Sequence, residues 1–197
     1  VTLALSDVAY ALVSNLGYAS EAEAMERDRP AIGNHMYGAL GHNLSTKDDR
    51  QVMFVVLTER HWQALLKVTN TADAMAEIAN KRGLDLSSDA GRYEARDDII
   101  VELTKWSKTQ TLAEVGPVFD EARLLWGPYQ TFQQMVHEDP RATLENPMFD
   151  QIDQDGVGRV LASGSPLNFI GKDRQKVRPA SRVGADTYAV LNDVLGK

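Results

Sequence analysis

The sequence predicts a mixed chain of helices and strands, α/β in class and α+β within this span, and three observations carry that reading. Apolar residues recur at helical spacing in several windows, such as Val8, Ala9, Leu12, Val13 and Leu16, or Ile99, Ile100, Leu103 and Trp106. Between them lies the continuous apolar run Val52-Met53-Phe54-Val55-Val56-Leu57, which suits a strand and is too short for a helix. Helix and strand signals do not alternate regularly, as they would in a complete doubly wound domain. The chain has 197 residues and no cysteine, a length that can bury a core without a disulfide or a structural metal.

Composition excludes several functions. Without cysteine there is no thiol catalysis, no Fe–S cluster and no Cys-based zinc site. Asp and Glu number 28 against 21 Lys and Arg, a formal charge of −7, which opposes a general nucleic-acid binder because phosphate neutralisation needs a basic face. No apolar run approaches the ~20 residues of a membrane span, and no charged segment precedes an apolar stretch as in a signal peptide. The expectation is a soluble, cytoplasmic protein with neither nucleic acid nor membrane as partner.

Element by element, Val1 to Leu5 reads as a strand that begins at once, with no initiator Met, as in a chain cut from something longer. Ser6 is a candidate N-cap for the Val8–Leu16 helix, Gly17 its C-terminal stop, and Glu21 to Arg29 a surface helix or linker. Arg29 to His42 carries Pro30 and glycines at 33, 38 and 41 and reads as a loop. A hairpin follows: a strand through Leu44, the turn Lys47 to Arg50, then Gln51 to Leu57, whose unbroken apolar core suggests burial on both faces. Thr58 caps a helix with Trp62, Leu65 and Leu66, Ala72 to Ala79 is helical, and Asp85 to Gly91 is a loop. Asp97-Asp98 opens the Ile99–Trp106 helix. A helix from Leu112 to Leu125 should break at Gly116-Pro117. After Gly127-Pro128 a helix with Phe132, Met135 and Val136 ends at Asp139-Pro140. Strands Met148–Ile152 and Val157–Leu161 flank Gln154-Asp155-Gly156, Ser165 to Phe169 is a third extended piece, and Val190, Leu191, Val194 and Leu195 mark a closing helix.

The Gly33–His42 loop is the most chemically loaded stretch. Gly38 and Gly41 permit close approach to a ligand or a lid motion, while His35, Tyr37 and His42 supply proton-transfer or hydrogen-bonding groups. From the residues alone a plain surface loop is equally in view, since the spacing fits neither a dinucleotide nor a P-loop fingerprint. Asp153, Asp155 and Gly156 match part of a calcium loop, but Ala162 stands where its bidentate Glu is required, so the stretch is a hairpin turn. His35, His42, His61 and His137 have no paired ligand spacing, and no metal site is expected. His61 reads as a surface or packing residue and His137 as a helix-end charge partner. Gly164-Ser165-Pro166 is a turn and no nucleophile elbow. Lys172, Arg174, Lys176, Arg178 and Arg182 form the one basic run, either a solvated connection or a contact for an anionic cofactor tail or an acidic subunit.

Three blocks together resemble a known family. Arg29 to Leu57, with Arg-x4-Asn, the glycine loop and a hairpin into an apolar strand, is similar to the small-domain start of the class III CoA-transferases, the CaiB/BaiF family. Asp139-Pro140, Asn146-Pro147-Met148-Phe149, Gly156-Val157-Gly158 and Gly164-Ser165-Pro166-Leu167-x-Phe169 resemble its return segment. Pro179-Ala180, Val183-Gly184-Ala185-Asp186-Thr187 and Val190-Leu191 resemble its closing motif. The order holds along nearly the whole chain, with Asp49 in the hairpin where a glycine is usual. The loop Gly33 to Gly41 and the Val52-Met53 strand most resemble the branch acting on mesaconyl-CoA.

The resemblance implies an enzyme that moves CoA between or within carboxylic acids through an aspartyl mixed anhydride; an acyl-CoA racemase of the same family and a non-catalytic, partner-binding half are the alternatives. It implies a CoA thioester as substrate, no permanently bound cofactor, and an interlocked homodimer. Residues 1–28 would be a strand and helix leaving the large domain, with a linker; 29–130 the small domain; 131–197 the return to the large domain. The catalytic aspartate and most CoA contacts would belong to a preceding Rossmann-like half, so no catalytic residue is assigned, and Asp7 falls in a helix position outside that role. Asn34, His35, Tyr37, Gly38 and Gly41 are the expected substrate-loop residues, with His35 and Tyr37 meeting the substrate carboxylate.

Overall fold

A computed structural model describes residues 2–196 of the chain. They form two compact units that divide between Tyr129 and Gln130. The first holds a three-stranded antiparallel sheet, β1 (Leu40–Ser45), β2 (Gln51–Val56) and β3 (Leu125–Tyr129), with β2 in the centre. Seven helices accompany it: α1 (Leu5–Asn15), α2 (Tyr18–Met25), α3 (Glu59–Thr69), α4 (Ala72–Arg82), α5 (Asp89–Glu94), α6 (Arg96–Ser107) and α7 (Leu112–Glu121).

The residues predicted for β1, β2 and α3 form those elements. Asp49 holds a left-handed backbone, φ 56°, in the turn of the hairpin, a conformation that Asp tolerates better than most side chains. Strand β2 differs from expectation in one respect, since its burial alternates: Val52, Phe54 and Val56 are buried while Met53 and Val55 are half-covered. Helices cover one face closely, so only that side is sealed. Thr58 caps α3, its side chain accepting the His61 N–H, and His61 is half-buried.

The core gathers Leu40 and Leu44 of β1, the three inward residues of β2, Trp62 and Leu65 of α3, Ile99 and Leu103 of α6, and Val115 and Phe119 of α7. Phe119 stacks on Trp106 with ring centroids 5.7 Å apart and meets Trp126 edge-on. One charge is enclosed among them. Arg92, 2 % exposed, donates to Glu59, to the Leu86 and Ser87 carbonyls and to Asp89. Gly91 beside it is obligatory, because a Cβ there would stand 2.0 Å from the Asp85 carbonyl oxygen.

Five expectations need correction. Thr2 to Ala4 form no strand and pair with none among the described residues, and Val1 lies outside them. The first helix starts at Leu5, so Ala4 and not Ser6 holds the N-cap position, without a side-chain cap. The Asp85–Gly91 loop is shorter than read, because Ser88 caps α5 from within it. Helix α7 continues through Pro117: Thr111 and Glu114 form a capping box, and Val115 and Phe119 anchor the helix on either side of the proline. It ends at Glu121, and Leu125 to Tyr129, with Gly127-Pro128 inside, is a third strand against β2; at a sheet edge proline is tolerated. Gly17, left-handed at φ 81°, stops α1 as expected.

The second unit has α8 (Phe132–Glu138), with His137 in its last turn, and an antiparallel hairpin of β4 (Phe149–Gln154) and β5 (Gly158–Ser163). Gly156 turns it at φ 74°. Ser165 to Phe169 is irregular and joins no sheet. The closing helix is a single turn, α9 (Thr187–Ala189), that widens to i→i+5 bonding over Val190–Val194. No helix among the described residues is long and apolar enough to cross a membrane, and no cluster of metal-ligating side chains occurs among them.

Replacing Phe119 by Ala should lower the unfolding free energy by about 3–5 kcal/mol, because two indole rings lose their shared partner. Denaturant titration of the two proteins measures it.

Candidate functional site

The glycine loop lies at the free edge of β1, and the strand register dictates how it sits there. Successive side chains of a strand point to opposite faces. Leu40, His42 and Leu44 pair with Val56, Phe54 and Val52 and share the core face; Gly41, Asn43 and Ser45 pair with Val55, Met53 and Gln51 and share the other. The loop straddles this edge. Met36 N–H donates to the Gly41 carbonyl, 2.8 Å, and its side chain occupies the room that a Cβ on Gly41 would need, 3.0 Å away. Asn34 donates to Asn43 Oδ1 at 2.9 Å, Asn43 to Gln51, and Gln51 to Ser45, a chain of polar side chains along the outer face. His35, between Asn34 and Met36, turns to the core side and packs its ring against His42, centroids 4.2 Å apart.

Two glycines of the loop have different duties. Gly38 is left-handed, φ 73°, with open space around its missing Cβ, and makes the turn back into β1. Gly41 is already inside the strand, where the absent side chain admits Met36.

Both nominated polar side chains of the loop already bind carboxylates. His35 Nε2 lies 3.1 Å from Asp97 Oδ1 at the start of α6. Its Nδ1 is buried and has no hydrogen-bond partner. Burial holds the His35 pKa below the usual histidine value, His42 and Arg96 push the same way, and Asp97 opposes them. The imidazole is therefore neutral near neutral pH, donating from Nε2. His42 fixes its own tautomer by donating Nδ1–H to the Asn43 carbonyl, 2.7 Å.

Tyr37 donates its hydroxyl to Glu21 Oε1 of α2 at 2.8 Å. The other oxygen of Glu21 receives Arg29 Nε and Nη2, at 3.2 and 2.8 Å. The Arg29 guanidinium is sandwiched between the rings of Tyr18 and Tyr37, 4.0 and 3.4 Å from their centroids, and Tyr93 meets Tyr37 edge-on. The Tyr37 hydroxyl is the leading cause of a Glu21 pKa below the usual carboxylate value, with Arg29 and Arg27 acting in the same sense. These groups line a cleft of about 240 Å³ that also takes in Arg27, Asp28, Pro30, Glu94 and Arg96.

The structure thus brings Asn34, His35, Tyr37, Gly38 and Gly41 onto one strand edge. Sequence reasoning missed Glu21, read as part of a surface helix or linker, and Asp97, read as a helix-opening acid. Arg29 was visible as the first residue of Arg-x4-Asn, yet its ring sandwich joins residues 11 and 8 positions apart that no local pattern links. Lys172, Arg174 and Lys176 of the basic run line a separate cleft in the second unit, about 500 Å³ in volume. Arg174 donates there to the Ser165 carbonyl, while Arg182, outside the cleft's lining, pairs with Asp155.

A family model described as CoA-transferase family III matches residues 1–187. The chain is 39 % identical over 196 residues to a 2-methylfumaryl-CoA isomerase of Chloroflexus aurantiacus, covering all of this chain and 48 % of that protein. Its fold is similar to a CAIB/BAIF family protein from Brucella suis, TM-score 0.60 at 16 % identity, over 93 % of this chain and 44 % of that one. It also resembles Rv3272 from Mycobacterium tuberculosis, TM-score 0.62 at 17 % identity, over 91 % and 43 %. The chain spans about half the length of these relatives.

A depressed histidine pKa stabilises the fold above the unfolded value, and that contribution is lost as the pH falls towards the folded one. Thermal stability should therefore decline from about pH 8 to about pH 5, and His35→Asn, which keeps a donor for Asp97, should flatten that decline. Melting curves of both proteins across the range check it.

Proposed function

Because the chain belongs to CoA-transferase family III, we propose that it forms the C-terminal half of an enzyme that moves CoA between or within carboxylic acids. The thioesters of 2-methylfumarate, which is mesaconate, are the first substrates to try. The observation that carries the reading is the 39 % identity to the 2-methylfumaryl-CoA isomerase over the chain's whole length.

In this reading the chemistry is nucleophilic and the nucleophile is an aspartate of an N-terminal Rossmann-like half. Its carboxylate adds to the thioester carbonyl and expels the CoA thiolate, leaving an acyl-aspartyl anhydride. The thiolate then attacks the aspartyl carbonyl and releases the acyl group as a carboxylate. Attack by a second carboxylate on the aspartyl thioester, followed by return of the thiolate to the acyl carbonyl, completes the transfer with the thioester energy retained. Water must be kept out, since it would hydrolyse both intermediates.

Residues 1–28 would leave the large domain, 29–130 would form the small domain and 131–197 would return. Two such chains would interlock as a dimer, and no resident cofactor is needed. The Gly33–Gly41 loop would cover the intermediates. His35 and Tyr37 would contact the substrate carboxylate, His35 through its Nε2–H on leaving Asp97, Tyr37 through its hydroxyl.

The test is to express the chain with an N-terminal half of the family and incubate it with one regioisomer of 2-methylfumaryl-CoA. Chromatography should show the other regioisomer, with hydroxylamine trapping an aspartyl intermediate. His35→Ala and Tyr37→Phe should each lose about tenfold or more in kcat/KM. Unchanged thioester sinks the transferase reading, and deuterium uptake at the α-carbon of a saturated 2-methylacyl-CoA, which unlike 2-methylfumaryl-CoA carries a hydrogen on a tetrahedral α-carbon, converts it to a racemase.

A further inference from the structure

Arg29 directs two N–H groups, Nε and Nη2, at one oxygen of a carboxylate in charge-assisted hydrogen bonds, and the carboxylate it holds belongs to the chain itself. Tyr37 completes the set by donating to the second oxygen of the same group. Three donors thus converge on Glu21. We propose that Arg29 and Tyr37 form a carboxylate-binding subsite whose resident occupant is Glu21, and that the free carboxylate of the acyl substrate takes Glu21's place. This rests on the proposed function for the identity of the acid, and on the cleft's geometry alone for the subsite.

Charge, size and rigidity support the exchange. The cleft's lining holds three arginines, Arg27, Arg29 and Arg96, against three acids, Glu21, Asp28 and Glu94. Swapping one carboxylate for another leaves that balance unchanged, whereas a neutral ligand would strand a guanidinium. A volume of about 240 Å³ is below the ~300–1,000 Å³ typical of sites for larger ligands, so it admits a small acid and not a CoA moiety. Stacking between Tyr18 and Tyr37 holds the guanidinium plane in place whichever carboxylate is bound. Glu21 sits on α2 and Tyr37 on the glycine loop, so the exchange also unties the loop from that helix. Substrate binding and loop release become one event.

The probe is free 2-methylfumarate titrated into the 197-residue chain, with its uncharged diamide as control, followed by the NMR signals of the Arg29 guanidinium. Glu21→Gln removes the competing charge and should bind the dianion about tenfold more tightly than the native chain. Arg29→Lys, which keeps the charge and loses the fork, should weaken binding by about the same factor, and the diamide should bind none of them. Tyr37→Phe should give a smaller loss and serves as a readout should Arg29→Lys unfold. Equal or weaker binding to Glu21→Gln, or native-like binding to both Arg29→Lys and Tyr37→Phe, overturns the subsite. Binding is read without turnover, so an assembled enzyme that fails to move CoA refutes the proposed function and leaves this result standing. CoA transfer by that enzyme alongside a Glu21→Gln chain with unaltered dicarboxylate affinity does the reverse.

Discussion

Strand β2 is hydrogen-bonded along both edges, and the first unit is arranged around that fact. Its inward residues Val52, Phe54 and Val56 give α3, α6 and α7 a common surface to close on. Its pairing with β1 fixes which residues of β1 face the core, and so where the loop before β1 must go. With β1 at the sheet edge, residues 34 to 36 can pass around it, placing His35 beside His42 on one side and Met36 against Gly41 on the other. A register slip of one residue would exchange those faces and disband the site. The position of every loop side chain therefore depends on a ladder that itself has no chemical duty.

The site built on that edge is governed by ion pairing in partial shelter from water. The chain as a whole is acidic, at −7, yet its loop donors are all engaged: His35 by Asp97, Tyr37 and Arg29 by Glu21. A surface pair in open water contributes little, about 0–1 kcal/mol. Two hydrogen bonds to one carboxylate oxygen and two flanking aromatic rings make the Arg29 pair a better-defined one, and they set its direction as well as its strength. The consequence is a loop that is ordered by the same kind of group that its family handles as substrate.

Much of the fold was legible because its signals are local. Thr58 before an apolar-periodic run, Gly17 after one, and the Val52–Leu57 run each state their structure within a few residues. The misread elements are those decided at a distance. Pro117 stays helical because Val115 and Phe119 are gripped by the core, and Leu125 to Tyr129 is extended because β2 offers it an edge. The Val1–Leu5 run has strand-forming residues, and its described part meets no neighbouring strand within the chain. The loop stood out by its glycines and histidines. Glu21 and Asp97 were not, since each is an ordinary helix acid until the fold brings a donor to it.

The buried Arg92 bears on how the sequence can drift. Its guanidinium is shared between a turn, Leu86 to Ser88, and acids on two helices, Glu59 and Asp89. Changing either acid leaves an enclosed cation short of a partner, and lysine cannot reach the same four acceptors from one nitrogen. Drift at these positions is therefore ordered: the cation must give way to an apolar side chain before its acids are free to vary, and Gly91, pressed against Asp85, narrows the route further. In an aligned family, positions 59, 89 and 92 should be inherited as a set.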